Sequence, residues 1–71
     1  MYYLVEITVA NGTPAKAVWE KNTQDDALMQ LHQTLASAMA NPAAASCLCM
    51  VIDGRGMVAR QEYWERTNVA E

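Results

Sequence analysis

The chain has no phenylalanine, two cysteines, two prolines, three glycines and one histidine among its 71 residues. Two cysteines cannot form the disulfide framework that staples many small secreted domains. So few glycines and prolines exclude collagen-like and linker-like composition. The lone histidine, His32, provides no nucleophile–base pair at a spacing that would bring the two together, and no complete four-ligand zinc set. Basic residues are scarce as well: Lys16, Lys21, Arg55, Arg60 and Arg66 stand against eight acidic side chains, a net charge of −3. Only the three arginines could share a surface, and Glu62 and Glu65 lie among them, so nucleic acid is not an expected partner. No apolar run approaches the ~20 residues of a membrane helix. The run Met1 to Val5 lacks a basic flank and is broken at Glu6. No signal segment is therefore expected, and a cytoplasmic setting with reduced thiols is.

What is present describes a folded chain: 52% of residues are hydrophobic and 18% charged, outside the range of disorder. The length allows one domain, expected over residues 1–66, with 67–71 as a frayed tail. In a chain this small, the gain from apolar burial barely offsets the entropy of ordering the backbone and side chains. A disulfide, a metal or a partner subunit commonly supplies the difference.

From Tyr2 to Val9 apolar and polar residues alternate in strand fashion. Asn11-Gly12 is a hairpin signal, because both residues tolerate positive φ. Pro14 belongs at the start of the returning strand, Ala15 to Glu20. A two-residue turn would set Val5 beside Val18 but Ile7 beside Lys16. A three-residue loop pairs Ile7 with Ala17 and Val5 with Trp19, and is the expected register because it keeps like with like. Thr23, followed by Asp25 and Asp26, opens a helix. Ala27, Leu28, Leu31, Leu35, Ala38 and Met39 form its apolar stripe, with Gln30, Gln33 and Ser37 opposite, and Asn41-Pro42 ends it. Met29, Ala36 and Ala40 fall outside the stripe and are ordinary helix formers. Cys47 to Ile52 reads as a buried strand, Asp53-Gly54-Arg55-Gly56 as a turn and Met57 to Glu65 as the last strand. With Gly54-Arg55 central in that turn, Cys49 faces Arg60 and Cys47 faces Glu62. The fold class is α+β, in the order ββαββ: an antiparallel four-stranded sheet with one helix packed on one face. The strand order stays open.

Cys47 and Cys49, two apart on a strand, share a face at a spacing near the upper limit for a disulfide. Their first reading is two small apolar core residues. A second is a ligand pocket built by oligomerisation around Cys47, Cys49, Arg60 and Glu62, in which Arg60 lowers the thiol pKa. The glycines of the Asp53–Gly56 turn lead from strand to strand, which excludes a phosphate-binding loop. The helix is expected on the Leu48-Met50-Ile52 face, leaving Tyr2, Leu4, Val18, Val51, Val58 and Trp64, with Arg60 at the rim, on the other. Large apolar side chains rimmed by charge mark an interaction surface. The functional expectation is a non-enzymatic module that self-associates through the sheet face away from the helix. Its partner would be a second copy or another protein, with no cofactor and no membrane. The alternative is a small-molecule or metal-binding protein at the cysteine pocket. A weaker third is a nucleic-acid-linked regulator using Arg55, Arg60 and Arg66.

Overall fold

The structure is a computed structural model and describes residues 1–66; the tail expected at 67–71 lies outside them. Its elements are β1 (Tyr2–Ala10), β2 (Thr13–Lys21), α1 (Gln24–Ala40), β3 (Ala44–Asp53) and β4 (Val58–Glu65). They form one antiparallel sheet in the order β2-β1-β3-β4, with α1 across one face. The ββαββ reading is therefore correct, and the two hairpins are joined side by side through β1 and β3.

The first hairpin takes the two-residue turn rather than the expected three-residue loop. Asn11 and Gly12 sit at φ 54 and 78, and Ala10 pairs with Thr13. These angles match the right-handed twist of the strands that they join. Val5 consequently lies beside Val18, and Ile7 beside Lys16. Pro14 sits opposite Val9 on an edge strand, where its missing N–H faces the open edge. In the second hairpin Asp53 organises the turn: its Oδ1 accepts from the amides of Arg55 (2.8 Å) and Met57 (3.0 Å). Those two bonds hold its carboxyl below the usual carboxylate range. A register shift between Val51 and Ile52 then moves the pairing, so that Cys49 faces Glu62 and Cys47 faces Trp64, instead of Arg60 and Glu62.

The helix starts as its sequence dictates, with the Thr23 side chain accepting from the amide of Asp26 at 3.1 Å. Its last turn carries no basic residue, and the capping charge comes from beyond β4. Arg66 donates from Nε to the Ala44 carbonyl (3.0 Å) and from Nη2 to those of Met39 (3.2 Å) and Asn41 (3.0 Å). Its guanidinium also lies 4.9 Å from the Trp64 ring centroid. A cation at the negative end of a helix is stabilising, and the planar fork reaches several carbonyls at once. Arg66→Ala is expected to lower stability by about 1 kcal/mol, read as a shift in urea midpoint. Arg66→Lys should recover less than half of it, whereas full recovery by lysine would reduce the role to charge alone.

The helix lies on the face opposite to the one expected. Leu4, Cys47, Cys49 and Val51 are fully buried beneath it with Ala27 and Leu31, and Tyr2, Trp19 and Trp64 pack against the same cluster. Alternation within β1 and β3 holds, but the two-residue turn and the register shift at Val51/Ile52 move Lys16, Val18 and Val58 to the face opposite Leu4. The side that the helix takes is also corrected. The reason is chiral. The two-residue turn makes Ala10–Thr13 the closing hydrogen-bonded pair, so even-numbered residues of β1 direct their amides and carbonyls to β2. For L-residues viewed from the Leu4 side with β1 running upward, this places β2 on the right and β3 on the left. A right-handed connection from β2 to β3 must then pass over the Leu4 side. Small side chains on that face, Ala15, Ala17, Cys47 and Cys49, leave room for it.

Candidate functional site

Three features could carry function: the uncovered sheet face, the cysteine pair and a cleft beside the helix. The uncovered face carries Tyr3, Val5, Ile7 and Val9 from β1 with Leu48, Met50 and Ile52 from β3, all half-buried by one another. Val18, Val58 and Tyr63 extend it onto the outer strands at 65%, 54% and 58% exposure, values that leave these large side chains mostly in water. Lys16 and Glu20 on β2, and Gln61 and Glu65 on β4, supply its polar rim. Of the seven residues expected at an interface, Val18 and Val58 lie here. Tyr2, Leu4, Val51, Arg60 and Trp64 lie on the helix side, where Leu4 and Val51 have no exposed surface. Leu4 and Val51 are core and Tyr2 and Trp64 flank it, because the connection between β2 and β3 covers their face, whereas Arg60 is exposed on the edge strand. Tyr3, Val5, Ile7, Leu48, Met50 and Ile52 escape sequence reasoning for the converse reason: the helix is expected on the face of Leu48, Met50 and Ile52, which β1 shares through its odd-numbered residues.

Cys47 and Cys49 are free thiols, both completely buried, with Sγ atoms 3.6 Å apart. Thr8 Oγ1 lies 3.5 Å from the Cys47 Sγ and also donates to the Glu6 carboxylate. Burial above all, then the hydrogen bond to Cys47 and the negative charge of Cys47 and Glu6, push the Cys49 thiol up to about 12. This is opposite to the activated thiol that an adjacent Arg60 would have produced. Arg60 is instead on the exposed edge strand, paired with Glu62 at 2.7 Å. The four residues are neighbours in the ladder but do not enclose a common pocket: two lie under the helix and two at the surface. Among the described residues no group of three or more His, Cys, Asp and Glu is placed to hold a metal ion. His32 is exposed on the helix. The three arginines do not form one patch: Arg55 is in the turn, Arg60 is ion-paired and Arg66 is held on the helix terminus.

The cleft opens between α1 and the β1–β2 hairpin and has a volume of about 350 Å³. Glu6 and Thr8 line it from β1, Trp19 from β2, and Gln30, Gln33 and Ser37 from the helix. The helix glutamines, read as the side opposite the stripe, flank the core and border this opening. Thr34, buried at 6% exposure, accepts from Gln30 Nε2 at 3.0 Å and joins the same flank.

Among the described residues no helix is long and apolar enough to cross a membrane. No family model matches the chain, and neither a curated protein nor a solved structure matches it.

Proposed function

We propose that this chain is a non-enzymatic assembly module whose two copies pack their uncovered sheet faces together, in a reducing cytoplasmic setting suited to its free thiols. The observation that carries this reading is the unbroken apolar surface of β1 and β3, Tyr3 to Val9 and Leu48 to Ile52 on alternate positions, extended by Val18 and Tyr63. A solvated antiparallel face is normally polar, and an apolar one of this extent marks a contact surface. Two such faces stacked about 10 Å apart would form a sandwich with a second core.

Charge placement favours a second copy as the occupant and selects its orientation. The strand registers align Val18, Val5, Met50 and Gln61 in one row across the sheet. On one side of it runs the row Lys16, Ile7, Leu48 and Tyr63; on the other, Glu20, Tyr3, Ile52 and Val58. A two-fold axis along the Val18 row exchanges these flanking rows between copies. Each Lys16 then meets the partner's Glu20, while apolar residues meet apolar residues through the centre. An axis parallel to the strands would set Lys16 against Tyr63 and Glu20 against Val58, leaving both charges unmatched.

Light scattering at micromolar concentration should give the mass of two 7.8 kDa chains. Lys16→Glu and Glu20→Lys should each weaken the homodimer about thirtyfold, from about 1 kcal/mol at each of two like-charge contacts. Mixed together, they should recover a heterodimer, because each then presents the complement of the other. A wild-type monomer overturns the assembly reading. A wild-type dimer indifferent to both charge changes retains the assembly and removes the two-fold arrangement.

A further inference from the structure

We propose that the cleft between α1 and the β1–β2 hairpin is a binding site for a small organic cation: an ammonium or guanidinium group on a polar frame, with Glu6 as its counter-charge and Trp19 as its wall. The site faces away from the proposed dimer surface and does not depend on it. Its shape follows from the sequence. Ala17 stands beside Glu6 and Ala15 beside Thr8, so the helix-side surface of β2 has no large side chain there to close the space. The helix does not fill it either, because its flank toward β2 carries Gln30, Gln33 and Ser37 where the stripe carries leucine and alanine. The resulting volume of about 350 Å³ falls in the range of small-ligand sites.

The electrostatics define the ligand. Among the described residues Glu6 is the only charged side chain lining the cleft, and no lysine or arginine lines it. The carboxylate is half-buried and takes a hydrogen bond from Thr8; among the described residues, no cation lies within ion-pair distance of it. Removing a carboxylate from water without a counter-ion is costly, and a ligand cation would offset that cost. A neighbouring indole adds attraction for a cation. The glutamine amides and the Ser37 hydroxyl offer both donors and acceptors, so they suit a polar frame and not a hydrocarbon one. An anionic ligand would meet the Glu6 charge with nothing to balance it.

Agmatine, which carries a guanidinium at one end and an ammonium at the other, is a direct probe. In a Trp64→Phe background, Trp19 is the remaining tryptophan and reports on the cleft by its fluorescence. A saturable change at submillimolar agmatine is expected, with none from acetate at the same ionic strength. Glu6→Gln should weaken binding about tenfold or more, the loss of a charge-assisted contact. Ser37→Phe, a change at an exposed helix position, should block the cleft without altering Glu6. Its circular dichroism and urea midpoint should match those of the background, which separates lost binding from lost folding. Absence of a saturable response to agmatine overturns the proposal. So does equal binding by a folded Glu6→Gln chain, or acetate binding as well as agmatine does.

Discussion

Met50→Glu is expected to leave the chain folded and to weaken its dimer about a thousandfold or more. Met50 pairs with Val5 on one side and Gln61 on the other, near the middle of the uncovered face. In the proposed two-fold arrangement it lies on the axial row, so the substitution places two carboxylates together in the new core. Each would lose water without gaining a partner, and a cost of at least about 4 kcal/mol corresponds to three decades in Kd. In the separated chain the same carboxylate points into water. Its cost there is limited to strand propensity and lost neighbour contact, about 1 kcal/mol. Wild-type stability should rise with protein concentration, because dimerisation stabilises the folded state by mass action, and that dependence should vanish in the variant. Val51→Glu is the contrasting substitution, one residue along. Val51 is fully buried beneath the helix, so a carboxylate there should unfold the chain instead of dissociating it. If Met50→Glu unfolded the chain and Val51→Glu dissociated it, the faces would be assigned the wrong way round. If Met50→Glu remained a dimer, the face would not be the contact.

The alternation within β1, β2 and β3 was legible, and so were the helix and the class of the fold; in β4 the register shift opposite Val51/Ile52 breaks the alternation and takes Val58 off the Trp64 face. Tyr2, Leu4, Cys47, Cys49, Val51 and Trp64 do share one face, as alternation required. Which face the helix would take was not settled by hydrophobicity, because both are apolar. Leu48, Met50 and Ile52 make as good a core surface as Leu4, Cys49 and Val51, and a comparison of side chains picks the wrong one. Two other pieces of information decide it. One is the Asn11-Gly12 turn, whose positive φ at both positions fixes a two-residue hairpin. The other is the right-handed sense of the connection from β2 to β3. Taken together, they place the helix over Leu4 without reference to the side chains. A three-residue loop, which would keep Ile7 away from Lys16, is incompatible with the first of these. The Ile7–Lys16 pairing that seemed a defect sits on the uncovered face, where Lys16 belongs to the rim.

The cleft was less legible for a different reason. Its components are Glu6, Trp19 and a flank of helix glutamines, separated along the chain and unremarkable singly. Helical spacing places Gln30, Gln33 and Ser37 on one side, but whether that side meets solvent or borders the sheet depends on how far the helix is set toward β3. The helix is centred nearer β3 and β1 than β2, and the space left beside β2 becomes the opening. The one available signal was the pair of small residues, Ala15 and Ala17, in a strand that elsewhere carries Val18 and Trp19.

Above pH 9 the chain is expected to lose stability at about 1.4 kcal/mol per pH unit on account of a single thiol, Cys49. Burial beneath the helix, its bond to Cys47 and the nearby charges of Cys47 and Glu6 oppose ionisation, so the folded chain holds the Cys49 proton up to about pH 12. An unfolded chain releases it near the ordinary value of 9.0. Below that value the thiol is neutral in both states and contributes no pH dependence. Between the two values only the unfolded chain ionises, so each rise in pH favours unfolding, and the dependence ends once the folded thiol also ionises. Urea midpoints measured from neutral pH to pH 12 should therefore fall steeply for the wild type. Cys49→Ala, somewhat less stable at neutral pH for its lost packing, should fall less steeply over the same window. Every other ionisable side chain is common to both chains, so the difference between the two slopes isolates the thiol. Parallel curves would mean that Cys49 is not held neutral by the fold. The thiol would then be accessible to water through the cleft bordered by Thr8 and Glu6, and the packing of α1 over β3 would be looser than the buried cysteines indicate.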